Sequence, residues 1–232
     1  MLEQKEERRY RRLRKMGQEL YVPIPEAFWE LEVRDRNGRV IQKHRQRSHS
    51  WVRNAYHLMF QQLAHVPYDS AKSLNYLDTG GVSKTNATYI ITIGQLWNSA
   101  HGYWAAAGID TYGIVVGSND AAESFEHYSL QTQIMNGSGA GQLAYIAGET
   151  PVISTVDTTK KAELVRFFNN NSGGSIDVKE VGLYAHMSSS SGGSVNFLAY
   201  IMTSRDKLTS TVTVPDTGQL KVTYTIQLTY PA

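Results

Sequence analysis

Apolar residues along the C-terminal half recur at every second position. Leu220, Val222, Tyr224, Ile226 and Leu228 alternate with Lys221, Thr223, Thr225 and Gln227, the spacing of a strand with one buried face. Similar short bursts precede it: "ATYIITI", "YGIVVG", "ELVRFF", "IDVKEVGLYA", "NFLAYIM" and "STVTV". Turn-forming clusters such as "MNGSGAGQ", "NNNSGGS", "SSSSGGS" and "PDTG" separate them, because Gly, Asn, Asp, Ser and Pro supply the backbone conformations that turns need. This texture predicts a mainly β chain, an antiparallel β-sandwich or jelly roll over residues 67–232. "LWNSAHGYWAAAGID" has neither period and is expected to be loop.

The first third reads differently. Residues 3 to 16 are nearly all Glu, Lys, Arg and Gln, an exposed helix or arm with acids ahead of bases, as the helix dipole favours. Two prolines in Tyr21–Pro25 enforce an extended segment. "FWELEVRDRNGRVIQKHRQ" then alternates on both sides of Asn37-Gly38, a hairpin signal. Ser50 is placed to cap a helix over residues 51–66, with Trp51, Ala55, Leu58, Met59 and Leu63 at helical spacing and Pro67 beyond. The expected organisation is therefore a basic arm and hairpin (1–50), one helix (51–66) and a β domain (67–232).

Charge is unevenly distributed. The net formal charge is +2, but residues 1 to 53 carry 14 Lys/Arg against 8 Asp/Glu, whereas residues 54 to 232 carry 9 against 13. The basic end suits an acidic protein surface, nucleic acid or anionic lipid. Arg8, Arg9, Arg11, Arg12, Arg14 and Lys15 form its dense patch. Only Tyr10 is interleaved for base stacking, so docking on another protein is preferred over binding nucleic acid. No apolar run is long enough to span a bilayer, and the charged N-terminus lacks the apolar core of a secretory signal. Zero cysteines exclude disulfides, thiolate nucleophiles and Cys-ligated zinc.

Several segments resemble chemistry without completing it. "GSGAG" at 137–141 lacks the Gly-Lys-Ser/Thr that a phosphate-binding loop needs. "NDAAESFEH" gathers Asp120, Glu123, Glu126 and His127, and helical spacing would bring Glu123 to His127, yet a metal site needs ligands from a second segment. The histidines at 44, 49, 57, 65, 101, 127 and 186 show no HExxH, and no serine lies in GxSxG. No catalytic residue, cofactor or metal ligand is expected. Trp51, Trp97, Tyr103 and Trp104 could stack on a carbohydrate, but for the last three an oligomer contact in a Gly/Ala-rich loop is the better reading.

"LVRFFNNNSGGSIDVKEVGLYA" followed by "FLAYIMTSRDKLTSTVTVPDTGQLKVTYTIQL" resembles a pattern in structural proteins of tailed bacteriophages. There, an "R-x-F-x-N-N-S-G" hairpin precedes "V-x-E-V-G-L-Y", an "R-D" segment and a "VTVPxxGxLxVxYxI" strand pair. "DRNGRVIQKHRQRSHSWVRNAYHLMF" is similar to a segment that often precedes that β domain. The resemblance implies a non-enzymatic virion protein, assembled in the host cytoplasm, homo-oligomeric and bound to other virion proteins. Capsid decoration or cement is the first reading, a tail, neck or baseplate component the second, and a carbohydrate-binding module the third.

Glu180 in "DVKEVGLYAH" is the most informative single residue. Strand alternation sets Ile176, Val178, Glu180 and Gly182 on one face, so the carboxylate falls among apolar side chains unless a bulge at Gly182 shifts the register. A buried carboxylate must be paired or hydrogen-bonded. Arg166 on the preceding strand or Arg205 in "TSRDKL" is expected to be its structural ion-pair partner.

Overall fold

A computed structural model describes residues 2–64, 74–85, 91–92, 102–191 and 194–230. It begins with helix α1 (Leu2–Glu19), followed by the hairpin strands β1 (Ile24–Arg34) and β2 (Val40–Ser48) and helix α2 (Arg53–Ala64). Short strands β3 (Asn75–Leu77), β4 (Ser83–Thr85), β5 (Ile91–Thr92), β6 (Gly113–Gly117) and β7 (Ala144–Tyr145) come next. Longer ones follow: β8 (Val152–Val156), β9 (Thr159–Asn169), β10 (Ile176–Ser191), β11 (Ser194–Val214) and β12 (Gln219–Thr229). The chain is mainly β, as its alternation predicts, and its sheets are antiparallel.

One sheet has the order β2-β1-β12-β9-β7, with β8 also on β9; the second has the order β11-β10-β5, with β6 also on β10; β3 and β4 form a small third. The larger of two buried clusters lies between the two large sheets, and the smaller gathers Leu58 of α2, Tyr76 of β3, and Ala185, Met187, Ala199 and Ile201 of β10 and β11. Trp29, Leu31 and Val33 of β1 and Val222 and Tyr224 of β12 meet Val178 and Leu183 of β10 and Val212 of β11, all buried. The hairpin is no preface to the β domain, as the expected boundary had it. β1 pairs with β12 along its full length, from Ile24 opposite Thr229 to Arg34 opposite Gln219. Local pattern identifies a hairpin; burial of the Trp29 face draws it into the sheet.

The hairpin turn follows its sequence signal. Asp35 Oδ1 accepts the amides of Asn37 and Arg39, and Gly38 takes the left-handed conformation that the turn needs (φ 78°). Helix α2 starts later than expected. Its first amide, Arg53 N, bonds to Phe125 O rather than to a Ser50 cap, and the Ser50 carbonyl accepts Arg205 N. Asn54 anchors the helix by bonding the backbone of Leu77 in both directions and the Met202 carbonyl. Ala55 and Leu58 of its apolar stripe are buried, but Met59 and Leu63 are exposed. Pro67 lies outside the described residues. Of the loop expected at 96–110, residues 103–110 form no strand or helix, and 96–101 lie outside the described residues.

Strand β10 has both faces covered from Glu180 to Met187. The register with β11 shifts between Val178 and Glu180, not at Gly182. Leu183 thus faces Tyr224 of the other sheet, whereas Glu180 and Gly182 turn to the segment carrying Leu130–Thr132. Close packing there requires glycine at 117. A Cβ at that position would stand 2.5 Å from Glu180 Oε1 and 2.6 Å from the Thr132 carbonyl oxygen. Gly117→Ala is expected to cost about 1–3 kcal/mol through overpacking, read as a lower denaturation midpoint. Gly174→Ala is the control: a Cβ there meets nothing within 4 Å, and its midpoint should be unchanged.

A buried charge junction and a docked basic helix

Arg205 and Asp206 stand next to each other on β11, and both are fully buried. Consecutive strand residues point to opposite faces, and here the two charges hold different parts of the molecule. Arg205 Nε donates to Glu180 Oε2 at 2.7 Å, with both side chains at 0% exposure. Its remaining nitrogens donate to the carbonyls of Ala121 and Ala122 and to His127 Nδ1. Glu180 also accepts Gln131 N on Oε2 (3.2 Å) and Thr132 N on Oε1 (2.8 Å). The pair therefore pins the 121–132 segment onto the second sheet. Of the two arginines proposed for Glu180, Arg205 is the partner.

Arg166 serves a different purpose. It is buried on β9 and donates to five main-chain carbonyls, those of Ile146, Tyr112, Ile114, Ala106 and Ile109. Burial pushes its guanidinium down to about 10, so it stays charged at neutral pH. The rigid fork of an arginine matches this fan of acceptors, which a lysine would not. Arg166 thereby closes the 106–114 loop on the sheet without any carboxylate.

Asp206 faces the first sheet. Its Oδ2 accepts Trp29 Nε1 at 2.8 Å, Ser48 Oγ at 2.7 Å and Ser204 Oγ at 2.9 Å, while Oδ1 accepts His49 N. Burial pushes its carboxyl up, against the pull of those donors. Ligand atoms of His49, Glu123 and Asp206 come within 4.8 Å of one another. Thus His49, just after β2, and Asp206 of β11 come from segments beyond the one that carries Glu123. The oxygens are already engaged, however. Glu123 Oε1 accepts Lys207 N, and its Oε2 lies 3.4 Å from His49 Nε2. The Glu123 hydrogen bond raises His49 to about 9, so it is an imidazolium that competes with a cation. His127, which helical spacing would bring to Glu123, instead accepts Ser124 N and Arg205. Burial and the Arg205 charge push it down.

The basic patch, which reads as an exposed helix or a mobile arm, lies on helix α1, and that helix is docked. Glu7 Oε2 pairs with Arg47 at 2.5 Å, Arg47 with Glu26 at 2.5 Å, and Arg14 with Glu7 at 3.0 Å and Glu26 at 3.6 Å. The Arg47 guanidinium lies between the rings of Tyr10 on α1 (4.0 Å) and Phe28 on β1 (4.6 Å). The Arg47 hydrogen bond holds Glu7 below the usual carboxylate range. Arg14 is thus turned inward. Arg8, Arg9, Arg11, Arg12 and Lys15 remain exposed, with Arg11 and Lys15 in loose i,i+4 pairs to Glu7 and Glu19.

The aromatic platform is largely spent inside. Trp51 Nε1 donates to Tyr224 Oη at 2.8 Å, and Tyr103 Oη to Thr203 Oγ1 at 3.3 Å. Both line an apolar groove of about 440 Å³ beside Leu58 and Met59 of α2. Trp104 is half-buried against Gly148, and Trp97 lies outside the described residues. In "GSGAG", the Gly139 amide donates to Gln142 Oε1 across an exposed turn. Among the described residues no helix is long and apolar enough to cross a membrane. Comparison with family models, with curated proteins and with solved structures finds no match for this chain.

Two outcomes test the junction. Glu180→Gln leaves a buried guanidinium without its anion and is expected to cost roughly 3–5 kcal/mol. A double-mutant cycle on the denaturation midpoint should couple Glu180 to Arg205 and not to Arg166. The second concerns pH. His49 has a folded value near 9, above the ordinary 6.5. Its contribution is therefore complete below about pH 6.5 and is lost as pH rises through about 9. The effect is modest because the imidazole is half exposed. Glu123→Gln should remove this decline from the stability–pH profile.

Proposed function

We propose that this chain is a non-enzymatic structural protein of a tailed-bacteriophage particle. On this reading it sits on the capsid as a decoration or cement protein, and the outward basic face of α1 meets acidic surfaces of neighbouring virion proteins. One observation carries the reading. Four charged residues of the phage-like segments, Arg166, Glu180, Arg205 and Asp206, are buried and spent on holding loops and sheets together. Motifs of that kind belong to a scaffold that presents surfaces.

The basic helix supports the contact surface. Five of the six cations in its dense patch face outward, Arg8, Arg9, Arg11, Arg12 and Lys15, while Arg14 is used to dock the helix. A rigid helix presents those charges at fixed spacing, so they lose less entropy on binding than a floppy arm would.

The decisive measurement is copy number in purified particles by quantitative mass spectrometry. Hundreds of copies, in proportion to the major capsid protein, are expected. Six or twelve copies would move the protein to the neck or tail, and no particle association would overturn the reading. Deleting residues 1 to 16 should leave the β sheets folded, because Arg47 keeps Glu26 as a partner. Particle attachment should weaken markedly, and attachment of the intact protein should fall as salt rises. Equal attachment of the truncated protein at every salt concentration would show that α1 is not the anchor.

A further inference from the structure

We propose that β8 is a self-pairing edge, joining two copies of this chain through antiparallel β8–β8 contact about a twofold axis. Among the described residues β9 is the only strand that pairs with β8. Val152, Ile153 and Val156 are 54%, 69% and 59% exposed although all are apolar. Ile153 lies on the opposite face from the two valines, so both faces of the strand are open to a neighbour.

The long edge strands β2 and β11 are protected. β2 carries Lys43, Arg45 and Arg47, charges that discourage strand addition. The lower half of β11 is covered by two glutamine amides of β2. Gln46 bonds Lys207 O and Thr209 N, and Gln42 bonds Thr211 O and Thr213 N. "VISTV" has no charge and no proline.

The pairing geometry is self-consistent. The turn at Asp157–Thr158 sets Val156 opposite Thr159, and in so short a hairpin that closing pair exchanges hydrogen bonds. Alternation then makes Ser154–Lys161 and Val152–Glu163 the other bonded pairs. The amides and carbonyls of Ile153 and Thr155 are left pointing outward. A twofold through Ser154 sets Ile153 of one copy opposite Thr155 of the other, where those groups meet in four backbone hydrogen bonds. Val152 then faces Val156 of the other copy, and Ser154 faces its own counterpart. Lys161, beside Ser154, is three strand spacings from its counterpart, about 14 Å. That exceeds the roughly 8 Å screening length at physiological salt. A five-residue ladder is smaller than the roughly 800 Å² per partner of a stable interface, so the free dimer is weak and a covalent trap is the suitable probe. The proposal stands on the strand edge alone, apart from the particle reading.

The chain has no cysteine, so an introduced one reports cleanly. Opposed Cα atoms in a non-bonded antiparallel pair lie about 4.5 Å apart, within disulfide reach. Ser154→Cys in the full chain should give a disulfide-linked dimer on mild oxidation. Val152→Cys and Val156→Cys should each give at least tenfold less, and the two combined should restore crosslinking. Adding Thr155→Pro to Ser154→Cys removes one outward amide that the chain's own fold does not use. Crosslinking should fall at least tenfold with circular dichroism unchanged. If that variant misfolds, Ile153→Lys on the same background tests the edge by charge. Equal crosslinking of all three single cysteines, or a yield insensitive to the edge substitution, would overturn the proposal.

Discussion

Arg205 and Asp206, adjacent on β11 and facing opposite ways, set the arrangement around them. Each is a charge removed from water, which is tolerable only with a full set of partners. Those partners come from distant parts of the chain. Arg205 collects Glu180, Ala121, Ala122 and His127, while Asp206 collects Trp29, Ser48, Ser204 and the His49 amide. Neither sheet can shift without breaking several charge-assisted bonds. The 121–132 segment, which has almost no regular structure of its own, is fixed by the same set. Trp29 contributes twice, through its indole N–H and through its ring 4.1 Å from that of Tyr224.

Arg166 shows a second way to keep a cation inside. It has carbonyls in place of an anion, and burial accordingly lowers its proton affinity. The two arginines fasten two irregular segments, 106–114 and 121–132, to opposite parts of the β framework. Long loops in a β protein hold many main-chain acceptors that no ladder satisfies. A buried guanidinium, with five donors in a planar fork, resolves several of them at once. A basic helix fastened by a Glu–Arg–Glu–Arg chain, and an apolar strand edge left uncovered, are then the surfaces such a framework presents.

Much of the framework was legible in the sequence. The alternation of β12 and the Asn37-Gly38 turn follow from side-chain period and local turn chemistry, whereas Glu180 is buried on the opposite face from Val178 because the register shifts between them. Ser50 misled because capping propensity is local, whereas Arg53 N finds the Phe125 carbonyl across the fold. His49 gave no signal at all. Its link to Glu123 joins positions 74 residues apart, and no spacing rule reaches that far.

Side-chain period and turn chemistry, which act over two to four residues, thus foretold the hairpin, the strands β6, β9, β10 and β12 and the helix after residue 50, but not β3, β4, β7 or β8. The tertiary structure alone decided the rest. It placed β1 between β2 and β12, chose Arg205 over Arg166 for Glu180, turned Arg14 inward and, among the described residues, paired β8 with β9 alone. The physical reason is common to all four. Strand order and partner choice are set by burying many distant surfaces together, and a buried charge takes whichever partner that packing brings within about 3 Å.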